Sequence, residues 1–181
     1  MTPPAAIRRI RADEWAELRA LRLRALAGAP DAFGSTLAEA RERLDSRWQQ
    51  WAASGAAGEA DVLFVADRDG HLRGLAGGRT EDLPPDEIEL VSMWVDPALR
   101  GTGTALRLVE AVLGWARERG VARVRLWVTE GNTPAVRLYA RAGFAPTDET
   151  APLRPGSPLR ERLMLRAMEQ PPATRAAPAD A

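Results

Sequence analysis

The chain has 181 residues, 45% hydrophobic and 28% charged, a balance that suits one domain with a substantial core and a cytoplasmic location. Twenty-five Lys and Arg balance 25 Asp and Glu, so bulk charge favours neither nucleic acid nor an anionic membrane as a partner. There is no cysteine and one histidine, His71, which excludes disulfides, thiolate metal sites and a cysteine nucleophile and argues against a histidine-rich metal site.

Residues 7–11 read as a short first strand. Asp13 stands at an N-cap position for a helix to about residue 27, with Trp15, Leu18, Leu21 and Ala25 as its apolar stripe. Gly28-Ala29-Pro30 stops it, and a loop containing Phe33, Ser35 and Thr36 leads to a second helix over 36–53, with Leu37, Leu44, Trp48 and Trp51 on its buried side. Residues 62–66 read as a buried strand, Asp69-Gly70 as a hairpin turn, and 71–80 as a glycine-rich return strand. A central strand covers 88–95 and ends at Asp96-Pro97. The clearest helix is 102–119, with Leu106, Val109, Val112, Leu113 and Ala116 on one face. A strand over 123–129, a helix from Asn132 to Gly143, a strand from Phe144 and a last strand over 160–167 follow. Prolines and alanines from residue 170 onward read as a disordered tail. No apolar run approaches the ~20 residues of a membrane span, and the opening Met-Thr-Pro-Pro-Ala-Ala has no signal-peptide core.

The most informative segment is Leu-Arg-Gly-Thr-Gly-Thr-Ala at 99–105. It lies between a strand and a helix, where outward-facing N–H groups and the helix dipole favour a phosphate. Arg100 adds a cation, and Gly101 and Gly103 let the backbone approach closely. The lysine and hydroxyl residue of a Walker motif are absent after Gly103, which disfavours a nucleotide loop.

Three motifs in order carry a resemblance: Val95-Asp96-Pro97; Arg100-x-x-Gly103-x-Ala105; and Asn132-x-x-Ala135-x-x-x-Tyr139-x-x-x-Gly143-Phe144. The stretch 87–144 resembles the GNAT superfamily of acetyl-CoA-dependent N-acetyltransferases, and the element order fits that family over residues 5–168. The resemblance implies an α+β (mixed α/β) fold with a central, mostly antiparallel mixed sheet of six or seven strands. That sheet is splayed at the acyl-CoA site and flanked by about four helices. It implies one domain over 1–168, with the tail at 169–181.

The resemblance also implies a mode of binding for acetyl-CoA. The pyrophosphate lies on N–H groups of Arg100, Gly101, Thr102, Gly103, Thr104 and Ala105. The pantetheine arm runs along the strand edge beside Met93, Trp94 and Val95, where a β-bulge near Trp94 helps open the sheet. Asn132 either hydrogen-bonds the pantetheine or caps its helix. Family analogy makes Tyr139, the only tyrosine, the acid for the leaving thiolate and Glu89 the base, with Glu87 in reserve. Phe33, Ser35, Thr36 and Glu87 are candidates for the acceptor wall, and five acids over 81–89 offer a field for a cationic amine.

With no cysteine to carry the acyl group, transfer is expected to go directly from acetyl-CoA to a primary amine of a small molecule. No metal is required, and a homodimer fits the family. Two readings stay open: an acyl-CoA sensor without turnover, and an acetyltransferase for protein N-termini or lysines.

Overall fold

The computed structural model describes residues 4–169; the predicted tail, residue 169 apart, lies outside the described residues. The strands are β1 (Ala6–Arg9), β2 (Asp61–Arg68), β3 (His71–Arg79), β4 (Glu87–Val95), β5 (Arg123–Thr129), β6 (Ala145–Pro152) and β7 (Arg160–Ala167). The helices are α1 (Trp15–Gly28), α2 (Leu37–Glu42), α3 (Asp45–Ala57), α4 (Thr104–Glu118) and α5 (Thr133–Arg141). The strands form one sheet in the order β1-β2-β3-β4-β5-β7-β6. Every neighbouring pair is antiparallel except β4 and β5, which run parallel. This is the mixed, mostly antiparallel fold expected from the sequence.

Two expectations change locally. The helix predicted over 36–53 is two helices, because Arg43 and Leu44 adopt extended backbone angles between them. On one straight helix at about 100° per residue, Ala40, Leu44 and Trp51 would share a face. The break rotates the second half so that Trp48, Ala52 and Gly55 are buried and Leu44 is 72% exposed. Ahead of α1, Asp13 is not the cap. It lies exposed in a 3-10 turn, and the Glu14 carboxylate accepts the Arg11 N–H at 2.8 Å.

The sheet has a core on each face. Ile88, Leu90, Leu108, Val112, Leu113, Val124 and Leu126 pack between the sheet and α4, with Tyr139 and Phe144 joining them. Leu18, Leu21, Ala25, Trp48, Leu63, Leu75 and Trp94 pack between the other face and α1 and α3. Burying both faces fixes the strand register, since a one-residue slip would exchange the two sets.

Two features of β4 shape the site. It pairs with β5 only through Glu87–Arg123, Ile88–Val124 and Glu89–Arg125, after which the strands separate. On its other edge Leu75 pairs with Trp94 and Gly77 with Val91, so Ser92 and Met93 together stand opposite Ala76. This is the bulge expected near Trp94, and Ser92 has φ +58°. Among the described residues no helix is long and apolar enough to cross a membrane.

Candidate active site

The turn before α4 has the form of an anion cradle. Gly101 and Gly103 have φ of +77° and +81°, and a Cβ at either would meet nothing within 4 Å. The Thr102 hydroxyl donates to the Leu99 carbonyl at 2.6 Å and lies 2.8 Å from the hydroxyl of buried Thr104, which pins the turn from beneath. Among the described residues, the N–H groups of Gly101, Gly103, Thr104, Ala105 and Leu106 have no acceptor. Unpaired donors of this kind are what the first turn of a helix offers a ligand. Arg100 is exposed beside them.

The open edge of β4 lies next to this cradle. The Asp96 N–H donates to the Arg73 carbonyl at 2.7 Å, toward β3. By the alternation of an antiparallel ladder, the polar backbone groups of Val95 then face the other edge, where β5 has diverged. Met93 is half-buried on the α4 side. The Trp94 side chain belongs to the opposite core, and its buried indole N–H has no partner among the described residues. Asn132 caps α5: its Oδ1 accepts from the Ala135 N–H at 3.3 Å. Tyr139, two residues from the end of α5, is buried against Phe144, the rings edge-on with centroids 6.1 Å apart. Burial raises the pKa of its phenol, so the hydroxyl keeps its proton at neutral pH.

On the face of the sheet toward α1 lie the carboxylates. Glu87 is buried and meets Arg123 at 2.6 Å and Arg125 at 3.8 Å. Glu89 is buried and meets Arg79 at 3.2 Å and Arg125 at 3.9 Å. The two inner acids of the 81–89 stretch are therefore compensated by arginines, while Glu81, Asp82 and Asp86 are exposed. Glu161 of β7, unmarked in the sequence reading, belongs to the same group. Its strand places it opposite Thr129, and burial, reinforced by the charge of Glu89, pushes its carboxyl up to about 7. The signal was present: Glu161 alternates with Leu163 and Leu165, an acid at the end of an apolar face.

The loop between α1 and α2 closes over this face. The Thr129 hydroxyl donates to the Asp31 carbonyl at 2.6 Å, and Arg154 donates to the Phe33 carbonyl at 2.9 Å. Phe33 is buried under the guanidinium of Arg22, 4.2 Å from ring centre to Cζ, and the Ser35 hydroxyl accepts from the same guanidinium at 3.0 Å. Thr36 is occupied differently: it caps α2, its hydroxyl accepting from the Glu39 N–H at 3.3 Å while the Glu39 carboxylate accepts the Thr36 N–H at 2.7 Å. Arg22 also went unmarked. Its signal is an arginine inside the buried stripe Leu18, Leu21, Ala25, Leu26.

Residues 15–144 match the model of the acetyltransferase (GNAT) family. The chain belongs to that family. The mycothiol acetyltransferase of Salinispora arenicola is 39% identical over 136 residues, covering 74% of this chain and 41% of that protein. The mycothiol acetyltransferase of Thermomonospora curvata is 36% identical over 132 residues, 73% of this chain and 40% of that protein. The chain thus spans about two fifths of the length of these curated relatives. Among solved structures, a GNAT-family acetyltransferase from Streptococcus pneumoniae superposes with a TM-score of 0.76 at 20% identity, covering 91% of this chain and 99% of that one. The PaiA N-acetyltransferase of Thermoplasma acidophilum, solved with coenzyme A, gives 0.71 at 15% identity, over 92% and 100% of the two chains.

In this GNAT-family chain the cradle adjoins the unpaired β4 edge at the split in the sheet, and Tyr139 is buried in the core on the α4 side. Glu89, Glu161 and the Phe33 loop lie on the face toward α1. One side offers donors to an anion and a free strand edge to an amide-bearing chain. The other offers carboxylates to an ammonium group.

Proposed function

We propose that this protein acts in the cytoplasm and transfers an acetyl group from acetyl-CoA directly to a primary amine of a small molecule. The observation that carries the reading is the set of unpaired N–H groups of Gly101, Gly103, Thr104, Ala105 and Leu106 beside an unpaired strand edge, a combination that fits a pyrophosphate followed by a pantetheine arm. Acetyl-CoA supplies an activated acyl group and a thiolate leaving group. The residues do the rest. The Arg100 side chain and the N–H groups of Gly101, Gly103, Thr104 and Ala105 hold the phosphates, the Arg100 and Thr102 N–H groups being taken by the Pro97 and Leu99 carbonyls at 3.2 and 3.4 Å, while Met93 and Val95 present backbone groups to the pantetheine. Burial keeps Tyr139 protonated at neutral pH, and its hydroxyl is the donor we assign to the departing sulfur.

On the acceptor side an ammonium must lose a proton before it can attack. Glu89 is held by Arg79 and Arg125 and fixes the charge of the site. Glu161, titrating near neutrality beside it, is the group that takes the proton. The absence of cysteine supports direct transfer without a cysteine-bound acyl intermediate. The relatives named mycothiol acetyltransferase support a small-molecule acceptor.

The test is a thiol-release assay with acetyl-CoA and an amine panel, with acetylated products identified by mass spectrometry. Turnover of at least one small amine is expected. Tyr139→Phe is expected to lower kcat by about 100-fold, within the range of a lost general acid, with the Kd for acetyl-CoA unchanged. Tight acetyl-CoA binding with no CoA release across the panel would establish a sensor instead.

A further inference from the structure

Arg22 occupies a core position of α1 without a counter-charge. It is 8% exposed and is flanked along the helix by Leu18, Leu21, Ala25 and Leu26. A buried cation is costly unless it is paired, so such groups normally meet a carboxylate. Arg8 shows this arrangement in the same chain, with Glu14 at 2.6 Å and Asp67 at 2.8 Å. Arg22 has a hydroxyl from Ser35 and the rings of Phe33 and Trp51 at 4.2 and 6.0 Å. Among the described residues no carboxylate lies within ion-pair distance of it, and its buried Nη1 has no acceptor. Burial, and then the like charge of Arg43, push its pKa down to about 10, so it remains cationic at neutral pH.

The guanidinium is also held in place. Ser35 fixes Nη2, and Phe33 supports one face of the plane. Nη1 is left without a partner, and Arg22 lines a cavity of about 310 Å³ together with Arg43, Trp51, Arg79, Val91 and Ser92. That volume lies at the lower end of small-molecule sites, roughly 300 Å³ upward. Asp61 and Glu81 also border the cavity, but Asp61 accepts the Ser54 hydroxyl at 3.0 Å and Glu81 is exposed.

The far wall ties this cavity to the chemistry. Ser92 is the bulge residue of β4, and Val91 lies two residues beyond Glu89 on the same face of the strand, a separation of roughly 7 Å. Arg79, which borders the cavity, is the partner of Glu89.

We propose that Arg22 is the receptor for a carboxylate on the acceptor, so that the acceptors of this enzyme are amino acids in the broad sense, small molecules carrying both an amine and a carboxylate. A planar, pre-positioned guanidinium that borders a cavity and has no counter-charge is suited to recognition of a carboxylate. The ligand would supply the missing counter-charge, while the amine lies toward Glu89 and Glu161. This rests on the acetyltransferase reading above.

The experiment compares matched acceptors, each α- or ω-amino acid beside the amine that lacks its carboxylate, by CoA release from acetyl-CoA. Wild-type kcat/KM is expected to favour the carboxylate member by about 100-fold, because the unpartnered guanidinium remains buried when the carboxylate is missing. Arg22→Gln should raise KM for the amino acid about 100-fold with a much smaller change in kcat, and Arg22→Lys should recover part of the loss. Ser35→Ala, which frees Nη2 without touching the core, should raise KM several-fold and serves if Arg22→Gln does not fold. Calorimetry with N-acetyl-amino acids on the CoA-saturated enzyme gives a reading independent of turnover: binding to wild type and loss of binding in Arg22→Gln are expected. If matched amines and amino acids are acetylated equally, Arg22 is a structural cation and the inference fails while the acetyltransferase reading stands. If acetyl-CoA binds and no acceptor of either kind is acetylated, the acetyltransferase reading fails and this inference falls with it.

Discussion

A carboxyl group whose pKa rises on folding makes the folded state less stable as it ionises. Glu161 is such a group: desolvation, with a further contribution from Glu89, lifts it from 4.5 to about 7. Below pH 4.5 both folded and unfolded chains hold the proton, and the group's contribution is fully present. Between 4.5 and 7 the unfolded chain has released it while the folded chain keeps it, so stability is lost as pH rises toward 7. Glu161→Gln removes this dependence. Melting curves of the variant and wild type should coincide near pH 4 and separate between pH 5 and 8, the variant becoming higher by the order of a few degrees. The same group predicts the sign of the kinetics. A base must be ionised to work, so wild-type kcat/KM should rise through pH 7, and Glu161→Gln should lose that limb and run about 100-fold slower. Parallel melting curves at every pH, or an unchanged rate limb, would remove Glu161 from both accounts.

Two helical glycines respond in opposite directions to one added methyl group. In α3, a Cβ on Gly55 would lie 2.6 Å from the Leu63 Cβ and 3.2 Å from the Leu63 N–H nitrogen, atoms close to the backbone of β2 that cannot turn aside. In α4, a Cβ on Gly114 would meet nothing within 4 Å. Gly55→Ala should therefore destabilise by about 1–3 kcal/mol through overpacking, and Gly114→Ala should stabilise by about 0.4–1 kcal/mol through helix propensity and the unfolded chain. Chemical denaturation of both variants measures the signs; equal signs would mean that α3 does not pack on β2 this closely. The contrast shows what a sequence pattern carries. Strands and helices declared by period, such as β4, α4 and β5, are where the spacing places them, and the Arg100–Ala105 turn marks its own place. The break at Arg43–Leu44 was hidden because one apolar period fits a straight helix as well as a rotated pair. For Arg22 and Glu161 the position was legible and the role was not. Each is a charge at an inward position, and its meaning depends on what other elements place opposite it: the Phe33 loop for one, Glu89 for the other.

At the scale of the molecule, the sheet is two blocks, β1–β4 and β5–β7–β6, whose strands meet only through three residue pairs at the base of the split. A ligand seated along that split, with its phosphates on the α4 turn, touches both blocks where strand pairing does not. It binds the folded state alone, and mass action then stabilises the protein by about 2.7 kcal/mol at a ligand concentration of 100 Kd. For a chain of this size that corresponds to a rise in Tm of roughly 5–10 °C. Acetyl-CoA and CoA should both produce it, since the pyrophosphate and pantetheine are common to them. The gain should depend on the cradle. Gly103 has φ +81°, which a β-branched side chain adopts only with strain, so Gly103→Val should distort the turn that aims the N–H groups. The variant is expected to melt slightly lower without ligand and to lose most of the ligand-induced rise at the same acetyl-CoA concentration. Amide exchange offers the spatial counterpart. Amides of Val128 and Thr129, at the open end of β5, should slow on ligand addition in wild type and remain unchanged in Gly103→Val. A full thermal shift in Gly103→Val would show that the ligand is held elsewhere than at the turn before α4.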